Sequence, residues 1–226
     1  MKRKFSIRAV TAAAPIMRAI YDHPFNKEMI AGILRRNRFL YYLQQDSLRL
    51  LAFSRALAIA GGKMPDPADA DLLVRLSGQG FSAEQERRST HFREYHAKPA
   101  PREGPACMAY SKHMLERAVL GSPEEAVAAL LPGFWIRRET GVYVRTLASA
   151  DNFYFTWIEQ YTGDAYSEIV DKIIALADRL AGRAAAKERR RMLDGFIVSS
   201  RYEYCLWDDA YFLKPWPPAP AAETMM

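Results

Sequence analysis

Two carboxylates occupy positions where a helix facing a core would carry apolar residues. In RFLYYLQQDSLRLLAFSRALA (38–58), Phe39, Tyr42, Leu43, Asp46, Leu50 and Phe53 recur at spacings of three and four, so Asp46 shares their helical face. Arg49 follows one turn later on that side. In FIVSSRYEYCLWDDAY (196–211), Phe196, Ser199, Ser200, Glu203, Leu206, Trp207 and Tyr211 form a second stripe with Glu203 in its middle. A carboxylate facing a core is costly unless paired or hydrogen-bonded. Two carboxylates meeting in one pocket from distant helices can have their pKa values pushed apart and divide acid and base roles. The alternative is two buried ion pairs, Asp46–Arg49 and Glu203–Arg201.

Other reactive side chains are sparse. Cys107 and Tyr110 are three residues apart and can share a helical face, whereas Cys205 lies two residues from Glu203 and points elsewhere. Two cysteines make neither a disulfide framework nor a metal cluster, and each reads as a buried free thiol. Tyr161 closes the run FYFTWIEQY, where a buried Tyr ordinarily packs and makes one hydrogen bond. Glu139, in WIRRETG, is a further candidate carboxylate, or else a surface partner of Arg138. A di-iron carboxylate site would need Glu-x-x-His pairs, and none is present, so no metal site is expected. His23 precedes Pro and Phe and is placed to cap a helix; His91 and His96 fall in a charged segment and read as surface. The stretch ALLPGFWI (129–136) breaks an apolar run with Pro132-Gly133 and follows it at once with Phe134 and Trp135. Gly133 therefore lacks a side chain where one would point toward whatever those aromatics surround.

The elements that must position these residues are helical nearly throughout, because β-branched alternation is scarce and apolar residues recur at three and four. Helices are expected near 6–21, 26–35, 37–61, 67–79, 83–97, 106–120, 123–131, 134–147, 151–162, 165–183 and 185–212. Gly61-Gly62 and the prolines after them stop the third. Ser122-Pro-Glu-Glu opens a helix with a cap, a first-position Pro and acids in the first turn. KPAPREGPA (98–106) is a loop by its Pro and Gly content. The expected organisation is one all-α bundle over 1–212 with a Pro-rich tail over 213–226.

A chain of 226 residues can bury a sizeable core. No apolar run reaches the roughly 18 residues of a membrane helix, and the basic start is not followed by a long apolar segment, so a cytoplasmic protein without membrane attachment is expected. The net charge of +6 raises nucleic-acid binding, but KERRR (187–191) reads as a solvated helical face and no recognition motif accompanies it. No nucleic-acid role is expected.

In combination these segments resemble a known family. HPFNKEMIAGIL (23–34) with the 38–58 stretch is similar to the opening of the TenA family, whose members include thiaminase II enzymes. AYSKHMLERAVLGSPEEAVAALLPGFW (109–135), WIEQYTGDAY (157–166) and FIVSSRYEYCLWDDAY resemble its middle and end. The resemblance implies a haem-oxygenase-like all-α bundle, a homotetramer, and no haem, metal or other cofactor. It implies a small-molecule aminopyrimidine bound inside the bundle and hydrolysis at its exocyclic methylene, releasing hydroxymethyl pyrimidine for thiamine salvage. By position, Asp46 matches the family's residue for the pyrimidine's polar edge, Tyr110 and Tyr161 its ring-lining tyrosines, and Glu203 its proton-handling glutamate.

Three departures matter. The family pattern places its nucleophilic Cys after this Pro, where the chain has Gly133, which closes a covalent route there. A branch of the family lacks this Cys and activates water by carboxylates, and the chain is similar to that branch. Cys107 is a candidate for a relocated nucleophile. Arg49 and Arg137 stand where the family tends to have tyrosines. Both pointing inward would suit an anionic ligand; otherwise Arg49 pairs with Asp46 and Arg137 reaches solvent. The expected function is a Cys-independent hydrolase of an aminopyrimidine, with a non-catalytic binder of a pyrimidine or anionic metabolite as the alternative.

Overall fold

Three helix starts are set by side chains that replace missing backbone partners. In a computed structural model, which describes residues 4–100 and 102–218, His23 Nδ1 accepts from the Phe25 amide at 3.1 Å, and Pro24 takes the first helical position. The Asp66 carboxylate likewise accepts from the amides of Ala68 and Asp69 ahead of a helix that begins at Pro67. Ser122 accepts from the Glu125 amide at 3.2 Å, with Pro123 and two acids completing the expected start. Ten helices follow among the described residues: α1 (Phe5–Asp22), α2 (Pro24–Ile30), α3 (Arg36–Gly62), α4 (Pro67–Ser89), α5 (His91–Glu94), α6 (Pro105–Leu120), α7 (Pro123–Leu147), α8 (Phe155–Glu159), α9 (Asp164–Arg183) and α10 (Ala186–Phe212). No strand occurs among those residues, and no helix is long and apolar enough to cross a membrane. Residues 219–226 of the expected tail lie outside the described residues.

Several boundaries differ from the sequence expectation. The helices expected at 123–131 and 134–147 are one, α7, with Pro132 inside it. A mid-helix Pro forfeits one hydrogen bond and costs about 3 kcal/mol. Here every residue from Ala126 to Phe134 is buried against neighbouring helices, and that packing outweighs the local preference. The segments expected at 67–79 and 83–97 are α4, continuous through Gly78 and Gly80, and the short α5. Gly80 marks a close approach: a Cβ there would meet the Ser54 side chain of α3. The helix expected over 26–35 begins two residues earlier and ends at Ile30, and only Phe155–Glu159 of the expected 151–162 is α-helical.

Helices α3, α6, α7 and α10 all pack on one another. Two apolar clusters fill the bundle. One gathers Phe5, Phe53, Met114, Leu130, Phe134, Leu176 and Phe196; the other is aromatic, with Phe25, Phe39, Tyr42, Tyr154, Trp157 and Trp207. Tyr42 and Trp207 stack at 4.4 Å between centroids. Tyr110 belongs to the first cluster, and Tyr42 and Tyr161 to the second.

Candidate active site

Each of the four central helices contributes to one buried polar network. α3 carries Asp46 and Arg49, α6 Tyr110, α7 Arg137 and α10 Glu203. All five are at most 5 % exposed. Arg49 Nε donates to Asp46 Oδ1 at 3.0 Å, and Arg137 Nη2 donates to the same oxygen at 2.5 Å. Arg137 Nη1 donates to the hydroxyls of Tyr161 at 3.3 Å and Tyr42 at 3.5 Å, while the Tyr161 hydroxyl donates to Asp46 Oδ2 at 3.4 Å. On the other side Arg137 Nε lies 3.7 Å from Glu203 Oε2, and the Tyr110 hydroxyl donates to Glu203 Oε1 at 2.9 Å.

Arg137 therefore bridges both inward carboxylates, and the Glu203–Arg201 pair considered from sequence does not form: Glu203 faces Arg137 and Tyr110, and Arg201 is exposed. Arg137 also does not reach solvent. The Asp46–Arg49 pair does form. Burial works against both guanidinium charges, and the nearby carboxylates outweigh it, so the Arg137 pKa rises well above its ordinary value and that of Arg49 rises too. Burial holds the phenols of Tyr42, Tyr110 and Tyr166 above their usual range, Glu203 adding to the effect at Tyr110, so these remain neutral donors at ordinary pH.

A cavity of about 370 Å³ adjoins this network. Its wall includes Arg49 and Arg137, the phenols Tyr161 and Tyr166, and an apolar side containing Phe53 and Phe134; Gln160 and His91 also border it. This volume lies at the low end of the range that holds small-molecule ligands. Asp46, Glu203 and Tyr110 do not form its wall. Each carboxylate is reached from the cavity past a guanidinium that does.

Gly133 lines the cavity as its spacing suggested, but its missing side chain leaves no hole. A Cβ there would lie 2.7 Å from Phe53 Cε2, so the Phe53 ring of α3 occupies the volume. Phe53 meets Phe134 edge-to-face at 4.9 Å. The other proposed nucleophile lies elsewhere: Cys107 Sγ donates to the Gln45 carbonyl at 3.3 Å and is absent from the cavity wall. Burial, aided by Glu103, pushes its pKa up to about 12, which suits a packed thiol rather than a nucleophile. Glu139 pairs with Arg138 at 3.0 Å and borders a different depression, between α1 and α7. Among the described residues no group of three or more His, Cys, Asp or Glu gathers as a metal site.

Sequence reasoning missed most of the cavity wall, including three residues that bear on its chemistry. Tyr166 closes the 157–166 segment, where nothing local marks its phenol as lining a cavity. Phe53 was read only as part of an apolar stripe. His91 was read as surface because its neighbours are charged, yet it is half-buried at the cavity rim. Capping by His23 was legible, since a His-Pro-Phe sequence puts its ring beside the first free amides.

Known proteins resemble this arrangement along nearly the whole chain. A family model described as the TENA/THI-4/PQQC family matches residues 10–212. The aminopyrimidine aminohydrolase of Halalkalibacterium halodurans is 29 % identical over 218 residues, covering 94 % of this chain and 97 % of that protein. That of Bacillus subtilis is 29 % identical over 217 residues, covering 94 % and 92 %. Among solved structures, a TenA homologue from Pyrococcus furiosus superposes with a TM-score of 0.84 at 24 % identity, covering 92 % of this chain and all of that one. A TenA family transcription regulator from a Silicibacter species gives 0.83 at 27 % identity, covering 92 % and 96 %. The bundle is thus of the haem-oxygenase-like all-α type expected from sequence.

Proposed function

Because the chain belongs to the TENA/THI-4/PQQC family, we propose that it is a hydrolase of the aminopyrimidine aminohydrolase type. Its substrate in this reading is an aminopyrimidine breakdown product of thiamine, cleaved at the exocyclic C–N bond to give hydroxymethyl pyrimidine for salvage, without a cysteine nucleophile. The observation that carries the proposal is the buried Tyr110–Glu203–Arg137–Asp46 network beside a cavity of ligand size. A carboxylate held by hydrogen bonds within reach of the departing amine, directly or through one water, is what the proton transfer requires.

Chemically, a water oxygen bonds to the methylene carbon as its bond to nitrogen breaks. One proton leaves that water and one reaches the departing amine, so the protein ends unchanged. Glu203 is the proton carrier, oriented by the Tyr110 hydroxyl and by Arg137. Asp46, supported by Arg49 and Tyr161, holds the ring's polar edge. Because Arg49 and Arg137 stand at the cavity wall and both carboxylates lie behind them, contact of Asp46 or Glu203 with the substrate requires a guanidinium to shift or a water to bridge. The working form in this reading is a cytoplasmic homotetramer.

The test is release of hydroxymethyl pyrimidine from 4-amino-5-aminomethyl-2-methylpyrimidine. Wild type is expected to release it and Glu203→Gln to be slower by about 10²–10⁴-fold. Equal rates would remove Glu203 from the chemistry. A second reading, a family member that holds its ligand without turnover, is favoured by the placement of both carboxylates off the cavity wall. Binding of the ring by a wild type that releases nothing would select it.

A further inference from the structure

The cavity is bounded by cations whose counter-charges lie off its wall. Arg49 and Arg137 line it, whereas Asp46 and Glu203, which they bond, do not. The four charges sum to zero, but a ligand in the cavity does not feel them equally. Coulomb interactions weaken with distance, so the nearer guanidiniums dominate. The described residue that adds a carboxylate to the wall is Glu86, which is exposed and lies one turn before Thr90 and His91.

The pairing of the guanidiniums is also incomplete. Arg49 Nη1 and Arg137 Nε are buried and have no hydrogen-bond partner among the described residues, the latter facing Glu203 only at 3.7 Å. Buried donors left unpaired are uncommon, and each carries a desolvation cost. A guanidinium fork matches the paired oxygens of a carboxylate or a phosphate. Beside this pair, Phe53 and Phe134 offer an apolar surface to a flat ring, and Tyr161 and Tyr166 offer hydroxyls.

We infer that the ligand of this cavity carries an anionic group, a carboxylate or a phosphate ester, bound by Arg49 and Arg137 while its ring lies against Phe53 and Phe134. The pyrimidine ring is taken from the hydrolase reading; the anionic group comes from the two arginines.

Two pairs, the first of them isosteric, test this by calorimetry at low salt. One is 4-amino-2-methylpyrimidine-5-carboxylate against its 5-carboxamide. The other is 4-amino-5-hydroxymethyl-2-methylpyrimidine phosphate against the free alcohol. The ring is constant within each pair, and the two pairs separate carboxylate from phosphate as the source of the charge. At least one anion is expected to bind tenfold or more tightly than its neutral partner. Arg49→Gln is expected to erase that preference and Arg49→Lys to keep part of it. A native unfolding transition in each variant is the control for folding, and the wild-type comparison stands without them. Neutral members binding as well as both anions would overturn the inference. If the aminomethyl compound is hydrolysed while neither anion is preferred, the inference fails and the hydrolase reading survives. If an anion is preferred and nothing is hydrolysed, the anion site stands and the hydrolase reading fails.

Discussion

Replacing Gly133 by Ala tests whether the family's nucleophile position has been physically filled. The new Cβ would sit 2.7 Å from Phe53 Cε2, and the ring must retreat about 0.7 Å to reach ordinary contact. Phe53 is 4 % exposed and braced edge-to-face by Phe134, so only the cavity side is open to it. Overpacking of this kind costs roughly 1–3 kcal/mol. Removing a glycine from a helix interior returns about 1 kcal/mol. The net expectation is destabilisation of roughly 0–2 kcal/mol, a Tm lowered by up to about 8 °C for a chain of this size. Gly78 is the control, because it lies inside α4 with nothing near its missing Cβ. Gly78→Ala should gain about 1 kcal/mol from helix propensity alone. Thermal and urea unfolding of both variants isolates the strain as their difference, and Phe53→Leu combined with Gly133→Ala should relieve much of it. A Gly133→Ala protein as stabilised as Gly78→Ala would refute the reasoning. By the same logic Gly133→Cys places a thiol against an occupied volume, and no gain in turnover is expected from it.

Arg137→Met should leave two buried carboxylates sharing one cation, at a cost of roughly 3–5 kcal/mol. The matching fall in Tm is roughly 6–20 °C by calorimetry, and a fall under about 2 °C would contradict the network's role. Cys107, with its pKa pushed up to about 12, should resist iodoacetamide at pH 8 in the folded protein, and Cys107→Ser should keep the wild-type rate; mass spectrometry and the release assay check both. His113 has its pKa lowered, chiefly by burial, so the unfolded chain binds that proton more readily. Its contribution to stability is therefore present above about pH 6.5 and is lost as pH falls through the depressed folded value. Urea midpoints between pH 7.5 and 5 should fall less steeply in His113→Gln than in wild type, and identical slopes would remove His113 as a cause.

Local pattern carried much of this protein. The three-and-four spacing of apolar residues marked the long helices, and the caps at His23 and Ser122 were readable because a cap acts within a few residues of itself. The inward orientation of Asp46 and Glu203 was legible for the same reason: a stripe states which way a side chain points. The family was legible from HPF, YYLQQD and the 196–211 segment, and the match over residues 10–212 bears that reading out.

What the pattern could not carry depends on distances between helices. Pro132 reads as a break, and only burial along Ala126–Phe134 explains why α7 runs through it. Asp46–Arg49 is one turn of one helix and was foreseeable, but Arg137 lies 91 positions from Asp46 and 66 from Glu203, so its bridging of the two exists only once α3, α7 and α10 pack. Gly133 showed that a side chain was missing, not that Phe53, from a helix 80 positions away, had taken its space. Sequence determined that Asp46 and Glu203 turn inward, because that follows from the helical repeat. Tertiary packing alone decided that the guanidiniums, not the carboxylates, form the cavity wall, because this depends on ångström-scale differences in side-chain reach across helices.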